Sequence, residues 1–247
     1  MTHICVHEPG TYKFIEAPTN LKPSFSHFSE ITHKTKPHDD ALGKRIWDDS
    51  ETVYWKMETD YPYIEGRKLE EKAIKLAFLE ASFETPLVIR QRKRSTADAQ
   101  IIINWFGSKD EPFFKDRGST LAFGYGPSRG IGGDITMNAD KPWGLMDEII
   151  NGEQFSERFE RETNPNNKYR VYDSQHTLKH EGGHAIGMNH LTDTSLKLST
   201  VMYPFYNGLR KFGEADLAYL HLLYGKANIN HRIKEILLAR IGRGVMA

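Results

Sequence analysis

The sequence has little of several features that would place it outside the soluble globular proteins. It holds one cysteine, Cys5, in 247 residues, so no disulfide can form within the chain. No apolar run approaches the roughly 18 residues that a membrane-spanning helix needs. Residues 1–7 lack the apolar core of a secretory signal. We therefore expect a cytoplasmic protein, a virus- or phage-encoded protein, or one exported by a route without a signal.

An excess of charge of either sign is also lacking. Lysine plus arginine and aspartate plus glutamate each number 33, so net charge indicates no class of partner. We expect no nucleic-acid partner and no membrane span. The hydrophobic fraction of 38% and the charged fraction of 27% are typical of a globular protein with a packed core.

What the chain does contain is a dense group of metal-binding residues, in the stretch KHEGGHAIGMNH at residues 179–190. His180 and His184 are four positions apart, so on a helix their rings share one face and can reach one metal ion. Glu181 follows the first ligand and points near the position that a catalytic zinc leaves open for water. His190 is the third candidate ligand, and a straight helix would carry it away from the metal. Gly187 is where the chain can turn, because glycine takes positive φ without a steric cost.

The spacing H-E-x-x-H-x-x-G-x-x-H is identified as the signature of the metzincin metalloproteases. A second segment, STVMYPFY at residues 199–206, resembles the methionine turn of that group, which lies beneath the zinc. Its M-Y-P form is similar to the matrixins, the matrix metalloprotease branch. The resemblance implies one catalytic zinc held by His180, His184 and His190, with Glu181 as catalytic base and Met202 as an apolar floor.

The remaining patterns predict strands at residues 53–57, 87–92, 99–106, 120–125 and 134–137, and a helix at residues 69–83. This order resembles the matrixin catalytic domain. The fold class implied is α+β, with a mixed, twisted five-stranded sheet, an active-site helix, a second long helix and a C-terminal helix.

Three domains or segments are predicted. Residues 1–50 form an N-terminal arm or pro-like segment in which no strand or helix period persists. Residues 51–225 form the catalytic domain, with an insertion at 144–172, and residues 226–247 form a helical extension. Matrixins are often held inactive by a pro-segment cysteine. Cys5 is the only candidate here, but its neighbours do not match the family's pattern, so whether residues 1–50 inhibit the site is left open.

The resemblance also implies how a substrate binds. Residues 118–125 resemble the matrixin edge strand, along which an extended peptide pairs with the backbone, so Leu121 and Ala122 are candidate substrate-binding residues. His176 would lie at the base of the specificity pocket that receives the residue after the cut. The alternative is that His176 is packed or hydrogen-bonded and selects nothing. The outer wall of this pocket would be Pro204, Phe205 and Tyr206.

Only one metal ion is expected. Matrixins also carry a structural zinc held by histidines, and this chain has no histidine between His38 and His176, so that zinc is not expected. Calcium is left open, because five acids remain in the region where the family binds it: Asp110, Glu111, Asp116, Asp134 and Asp140.

The function hypothesis is a zinc endopeptidase that acts on proteins or peptides in an extended conformation, with a proteinaceous inhibitor as a second class of partner. One alternative is a latent or narrowly specific processing protease. Another is a zinc-bearing module that only captures peptides. Glu181 favours an enzyme, since a binding module has no use for a general base beside the metal.

Overall fold

The computed structural model describes residues 3–7, 37–39, 45–48, 52–61, 68–92, 99–116, 118–128, 130–144 and 172–233. Its strands are β1 His3–His7, β2 Pro37–Asp39, β3 Arg45–Trp47, β4 Thr52–Met57, β5 Val88–Gln91, β6 Ile101–Phe106, β7 Thr120–Tyr125, β8 Ile135–Asn138, β9 Trp143–Gly144 and β10 Tyr172–Asp173. Its helices are α1 Lys68–Glu84, α2 Pro112–Asp116, α3 Ser174–Ala185 and α4 Glu214–Tyr224, with a 3-10 turn at Thr194–Leu196 and a further helical turn at 229–233.

The main sheet has the order β1-β7-β8-β6-β4-β5. Strands β5, β4, β6 and β8 are parallel to one another, while β7 is antiparallel to β8 and β1 is antiparallel to β7. The five predicted strands are all present, and their bounds differ from the prediction by at most two residues. The α+β class and the mixed sheet are therefore confirmed.

The prediction that the sheet has five strands needs one correction, because β1 adds a sixth strand at its edge. The predicted N-terminal arm in fact contributes three strands, since β2 and β3 pair with each other as a small antiparallel ribbon. Strand β1 escaped prediction because its pairing partner is more than a hundred residues away. An isolated five-residue strand without alternation gives little local signal.

Helix α3 is the helix that was predicted to hold two of the zinc ligands. It packs against α1 on one side and against β7, β8 and β1 on the other. Alternate residues of β6, namely Ile101, Ile103 and Trp105, are buried and face the core. The core also includes Ala73 and Ala77 of α1, whose small side chains suit close helix packing. Strand β7, at the end of the sheet that contacts α3, is buried along its whole length.

Trp47 ties the end of the predicted arm to the C-terminus of α3. Its indole Nε1 donates to the carbonyl of Ala185 at 2.8 Å, and its backbone N–H donates to the Tyr224 hydroxyl at 3.2 Å. That hydroxyl donates in turn to the carbonyl of Ile186 at 2.7 Å. The carbonyls left over at the end of α3 are therefore satisfied by side chains from two distant segments.

Three predicted features lie largely outside the described residues: the N-terminal arm, except for 3–7, 37–39 and 45–48; the insertion, at 145–171; and the part of the C-terminal extension from 234 onward. None of the helices in the described part of the chain is long and apolar enough to cross a membrane.

Candidate metal centre

The N-terminus of α3 is anchored by the side chain of Asp173. One carboxylate oxygen of Asp173 accepts from the backbone N–H of Gln175 at 2.9 Å, the usual capping bond. The other accepts from Nε of Arg210 at 2.5 Å, and Asp173 itself is fully buried. The start of α3 is thus joined to the loop that follows the methionine turn.

His180, His184 and His190 converge on one point. The Nε2 atom of His180 lies 3.1 Å from that of His184 and 3.2 Å from that of His190. Three nitrogens bound to a tetrahedral zinc at 2.0–2.1 Å would lie about 3.3 Å apart, so this spacing fits zinc closely. Within the described residues, these three histidines form the only group of three or more side chains that could hold a metal ion.

The proton positions on two of these rings follow from their other hydrogen bonds. Nδ1 of His180 lies 2.7 Å from the carbonyl of Val201, and Nδ1 of His184 lies 2.7 Å from the carbonyl of Met188. A carbonyl only accepts, so both Nδ1 atoms carry the proton and both Nε2 atoms present lone pairs. Two lone pairs facing each other at 3.1 Å repel, and a cation between them removes the repulsion. The donor set therefore fits zinc.

His184 is held in the neutral form that a metal ligand needs. Burial lowers its pKa well below the usual range, and the neighbouring His180 and His190 lower it further, while the bond to Met188 opposes the shift. The imidazole is therefore uncharged at neutral pH and its Nε2 lone pair is available for a metal.

The chain turns at Gly187, as the sequence predicted. Gly187 has φ of +97°. Its N–H donates to the carbonyl of His184 at 2.9 Å, and the N–H of Met188 donates to the carbonyl of Gly183 at 2.9 Å. These two bonds form a Schellman cap, which ends the helix and reverses the chain direction. The reversal brings His190 back to the other two histidines.

The methionine turn supports the histidines from below. Met202 is fully buried. A methyl group added at Gly183 would lie 2.4 Å from the Met202 sulfur, so the sulfur rests on the helix between the two histidine ligands of α3. Val201, which precedes it, accepts the Nδ1–H of His180. The turn therefore both packs beneath the centre and orients one of its ligands.

Asp216, in the first turn of α4, supports the metal centre, a role that was not predicted from the sequence. Its buried carboxylate accepts hydrogen bonds from the Thr200 hydroxyl, from the backbone N–H groups of Val201 at 2.8 Å and Met202 at 3.2 Å, and from Gly213 N–H at 2.9 Å. One acidic side chain thus accepts hydrogen bonds from three consecutive residues of the methionine turn, 200–202. The signal that could have found it is an aspartate three residues after a glycine at a helix start, in a position typical of a capping box.

Glu181 is fully buried and lies between α3 and β7. A side-chain carbon built at Gly124 of β7 would lie 3.1 Å from both the backbone oxygen and the Oε2 atom of Glu181. The absence of a side chain at Gly124 is therefore what lets the carboxylate lie against the backbone of the sheet. Leu121 and Ala122, the predicted substrate-binding residues, are fully buried in the same strand.

His176 lies one turn before His180 and outside the histidine cluster, with the two rings 6.5 Å apart. Its Nδ1 donates to the carbonyl of Leu209 at 2.7 Å, and its ring meets that of Tyr206 edge-on at 4.8 Å. Burial lowers the pKa of His176 to about 4, so the ring is neutral. Its Nε2 has no hydrogen-bond partner among the described residues. The structure thus brings the ring of His176 into contact with Tyr206 and leaves Nε2 over. That the two residues line a specificity pocket stays a prediction.

The other predicted wall residues follow the methionine turn. Pro204 is buried, and Phe205 is partly buried and packs beside Tyr203 with ring centres 5.9 Å apart. The hydroxyl of Tyr206 accepts from the backbone N–H of Asp173 at 3.0 Å. This segment and the start of α3 are therefore held at a fixed separation.

Three of the five acids considered for calcium, Glu111, Asp134 and Asp140, accept hydrogen bonds from backbone N–H groups. Asp134 accepts from the backbone N–H of Ile102 at 2.9 Å, and burial raises its pKa well above the usual range. Asp140 accepts from Ser108 N–H at 2.7 Å. Burial also raises the pKa of Glu111. Calcium binding stays an open prediction.

Comparison with known proteins places these features in a family. The sequence profile of the matrixins matches residues 46–225. Human matrix metalloproteinase-15 is 30% identical over 159 residues, which cover 63% of this chain and 20% of that protein. Human matrilysin is 30% identical over 171 residues, covering 68% of this chain and 53% of that protein. Bovine interstitial collagenase is 26% identical over 185 residues, covering 74% and 34%. The chain thus spans between a fifth and about half the length of these relatives.

Proposed function

The chain belongs to the matrixin family of metalloproteases, and we propose that it is a zinc-dependent endopeptidase that cleaves extended segments of proteins or peptides. The observation that supports the proposal best is the convergence of three Nε2 atoms, two of them 3.1 Å apart with their lone pairs facing. Such a donor set leaves the fourth position of a tetrahedral zinc open, as catalytic sites require.

His180, His184 and His190 would hold the zinc, and Val201 and Met188 fix two of the rings through their carbonyls. A zinc ion held by three protein ligands lowers the pKa of bound water from about 16 toward 7 and polarises the carbonyl of the scissile bond. The protein contributes the orientation of the ligands and a buried floor at Met202.

Glu181 is the proposed proton carrier. Its carboxylate accepts a proton from the attacking water, and the protonated acid then donates that proton to the nitrogen of the leaving amine. Burial beside Gly124 holds the carboxylate in one place, so little reorganisation is needed during the reaction. The net reaction is addition of one water across one peptide bond.

The substrate is proposed to bind as an extended strand along β7, through main-chain hydrogen bonds that do not depend on its sequence. Leu121 and Ala122 belong to that strand. Selectivity would come from the pocket between α3 and the methionine-turn segment, where His176 and Tyr206 meet. A proteinaceous inhibitor that presents an extended segment would bind the same edge.

The test uses the full chain and its Glu181→Ala variant, each loaded with one zinc and incubated with a diverse peptide pool. The surface variant Glu214→Gln is the matched acidic control, because Glu214 is exposed on α4. We expect new peptide termini with the wild type and Glu214→Gln, loss of cleavage by at least about 10³-fold with Glu181→Ala, and loss in all samples with a chelator. Equal cleavage by wild type and Glu181→Ala would refute the assignment, and zinc binding without any cleavage would favour the peptide-binding module.

A further inference from the structure

Strand β1 covers the outer edge of β7. The two strands are antiparallel, and the residues that face each other are His3 and Tyr125, Ile4 and Gly124, Cys5 and Phe123, and Val6 and Ala122. Beyond Val6 the register shifts, so that His7 faces Thr120. The regular part of the pairing is therefore four residues long, and it is the part nearest Glu181.

The hydrogen bonds of Tyr125 on the β8 side of the sheet show which backbone groups of β7 face inward and which face outward. The backbone N–H of Tyr125 donates to the carbonyl of Asp134 at 3.0 Å, and its carbonyl accepts from Gly133 at 3.0 Å, so Tyr125 faces inward. Successive residues of a strand face opposite edges in the plane of the sheet. The N–H and C=O groups of Gly124 and Ala122 therefore face outward, toward β1, and their partners there are Ile4 and Val6.

This outer edge lies beside the candidate base. Gly124 is the residue whose backbone approaches Glu181, with 3.1 Å between a carbon built on it and the Oε2 atom. Helix α3 contacts both β7 and β1. Neighbouring strands are about 4.8 Å apart, so the backbone of Ile4 lies one strand spacing beyond Gly124.

We propose that His3–His7 is a substrate-like inhibitory strand that holds the outer edge of β7 by main-chain pairing. This inference rests on the proposed function, in which an extended substrate pairs with the same edge. Each N–H donates one strong hydrogen bond, so Gly124 and Ala122 cannot pair with β1 and with a substrate at once. Substrate binding therefore requires β1 to leave.

A strand with four regular pairs can be displaced. It contributes few hydrogen bonds, each with a modest net free energy in water. Because β1 is part of the same chain, its effective concentration at the edge is high, which favours it over a free peptide of the same affinity. Inhibition of this kind is competitive: it raises the KM for a substrate and leaves kcat unchanged.

The alternation within β1 supplies a matched pair of variants. Ile4→Pro removes an N–H that faces β7, whereas Cys5→Pro removes an N–H that faces away, where proline is tolerated on an edge strand. Both changes are made in the full-length, zinc-loaded Glu181→Ala chain, so that binding is measured without turnover. The probe is a fluorescent synthetic peptide with the sequence of residues 2–8, THICVHE, kept reduced.

We expect the Ile4→Pro chain to bind this peptide at least about tenfold more tightly than the Cys5→Pro chain or the parent, because the edge of β7 is released. Hydrogen exchange at residues 120–125 should also become faster in Ile4→Pro alone when no peptide is present, and slow again when the peptide is added. Equal peptide affinity in all three chains, or unchanged exchange in Ile4→Pro, would overturn the inference.

A second arm restores Glu181 and measures cleavage of a peptide from the pool. Ile4→Pro should lower KM about tenfold with kcat unchanged, and Cys5→Pro should match the wild type. Cys5→Ser separates main-chain pairing from inhibition by the thiol, and activation by Cys5→Ser equal to that by Ile4→Pro would overturn the inference. If no chain cleaves but peptide binding follows the proline pattern, only the proposed function fails. If all chains cleave with one KM, only the inhibitory strand fails.

Discussion

Replacing Asp216 by asparagine is expected to weaken both the fold and the metal centre, although Asp216 touches no metal ligand. The carboxylate accepts from two backbone N–H groups of the methionine turn, at 2.8 Å from Val201 and 3.2 Å from Met202, and from the hydroxyl of Thr200. It also accepts from Gly213 N–H at 2.9 Å, at the start of its own helix. Asp216 is fully buried, so water does not reach these donors to replace the lost hydrogen bonds.

The magnitude follows from the number of donors left without an acceptor. Asparagine keeps one oxygen and replaces the other by an NH2 group, which faces donors rather than acceptors. One or two buried N–H groups lose their partner, at about 1–3 kcal/mol each, so the free energy of unfolding should fall by about 1–6 kcal/mol. Zinc affinity should fall by about 10- to 100-fold, because the displaced turn includes Val201, the hydrogen-bond partner of His180.

The assay is urea unfolding of the metal-free chain, together with competition for zinc against a chromophoric chelator. Asp193→Asn is the matched control, because Asp193 caps the 3-10 turn at the surface through Ser195 and should leave zinc affinity unchanged. An Asp216→Asn chain within about 0.5 kcal/mol of wild-type stability, with zinc affinity within a factor of two, would show that the methionine turn does not depend on this carboxylate.

Three further predictions concern the surroundings of the centre. The pKa of His176 is about 4 in the folded protein and 6.5 in the unfolded chain, so this residue lowers the free energy of unfolding by about 2 kcal/mol as the pH falls from 7 to 5. His176→Leu should remove that pH-dependent loss in denaturant titrations at the two pH values, and an unchanged pH dependence would contradict the burial argument. Gly183→Ala should destabilise the zinc-loaded chain by about 1–3 kcal/mol in thermal unfolding, because the new methyl group would lie 2.4 Å from the Met202 sulfur. Gly118→Ala is the control and should leave stability unchanged, because Gly118 is exposed and a methyl group there would meet nothing within 4 Å. Glu80→Gln should lower the free energy of unfolding in urea by about 3 kcal/mol, because the Lys179 ammonium is buried against Glu80 beside the first zinc ligand. A decrease below about 0.5 kcal/mol would mean that the ammonium finds another partner.

The metal centre was predictable because its logic is local. Spacing four along a helix fixes His180 and His184 on one face, and Gly187 supplies the turn for His190, so three ligands follow from eleven residues. The sheet was predictable nearly as well, because β4, β6 and β8 are short, apolar and flanked by clear breaks. The family resemblance concerned the order of strands and helices along the chain, and the order of the strands within the sheet was not predicted.

What the sequence did not reveal depends on distant partners. The pairing of His3–His7 with β7 needs contacts across more than a hundred residues, and the strand has no alternation of its own. Trp47 looked like part of an arm, yet its indole caps the end of α3. Asp216 resembles an ordinary helix-start residue until the methionine turn is placed against it. In each case the information lies in the tertiary contact and not in the local pattern.

The most direct test of the central claim is a titration of the metal-free chain with zinc, in which peptide cleavage and bound zinc are measured on the same samples. We predict that the cleavage rate rises in proportion to bound zinc and stops rising at one zinc per chain, while Glu181→Ala binds the same zinc and cleaves nothing. Cleavage by the metal-free chain, cleavage by Glu181→Ala, or a rate that needs a second zinc would contradict a single catalytic zinc held by three histidines.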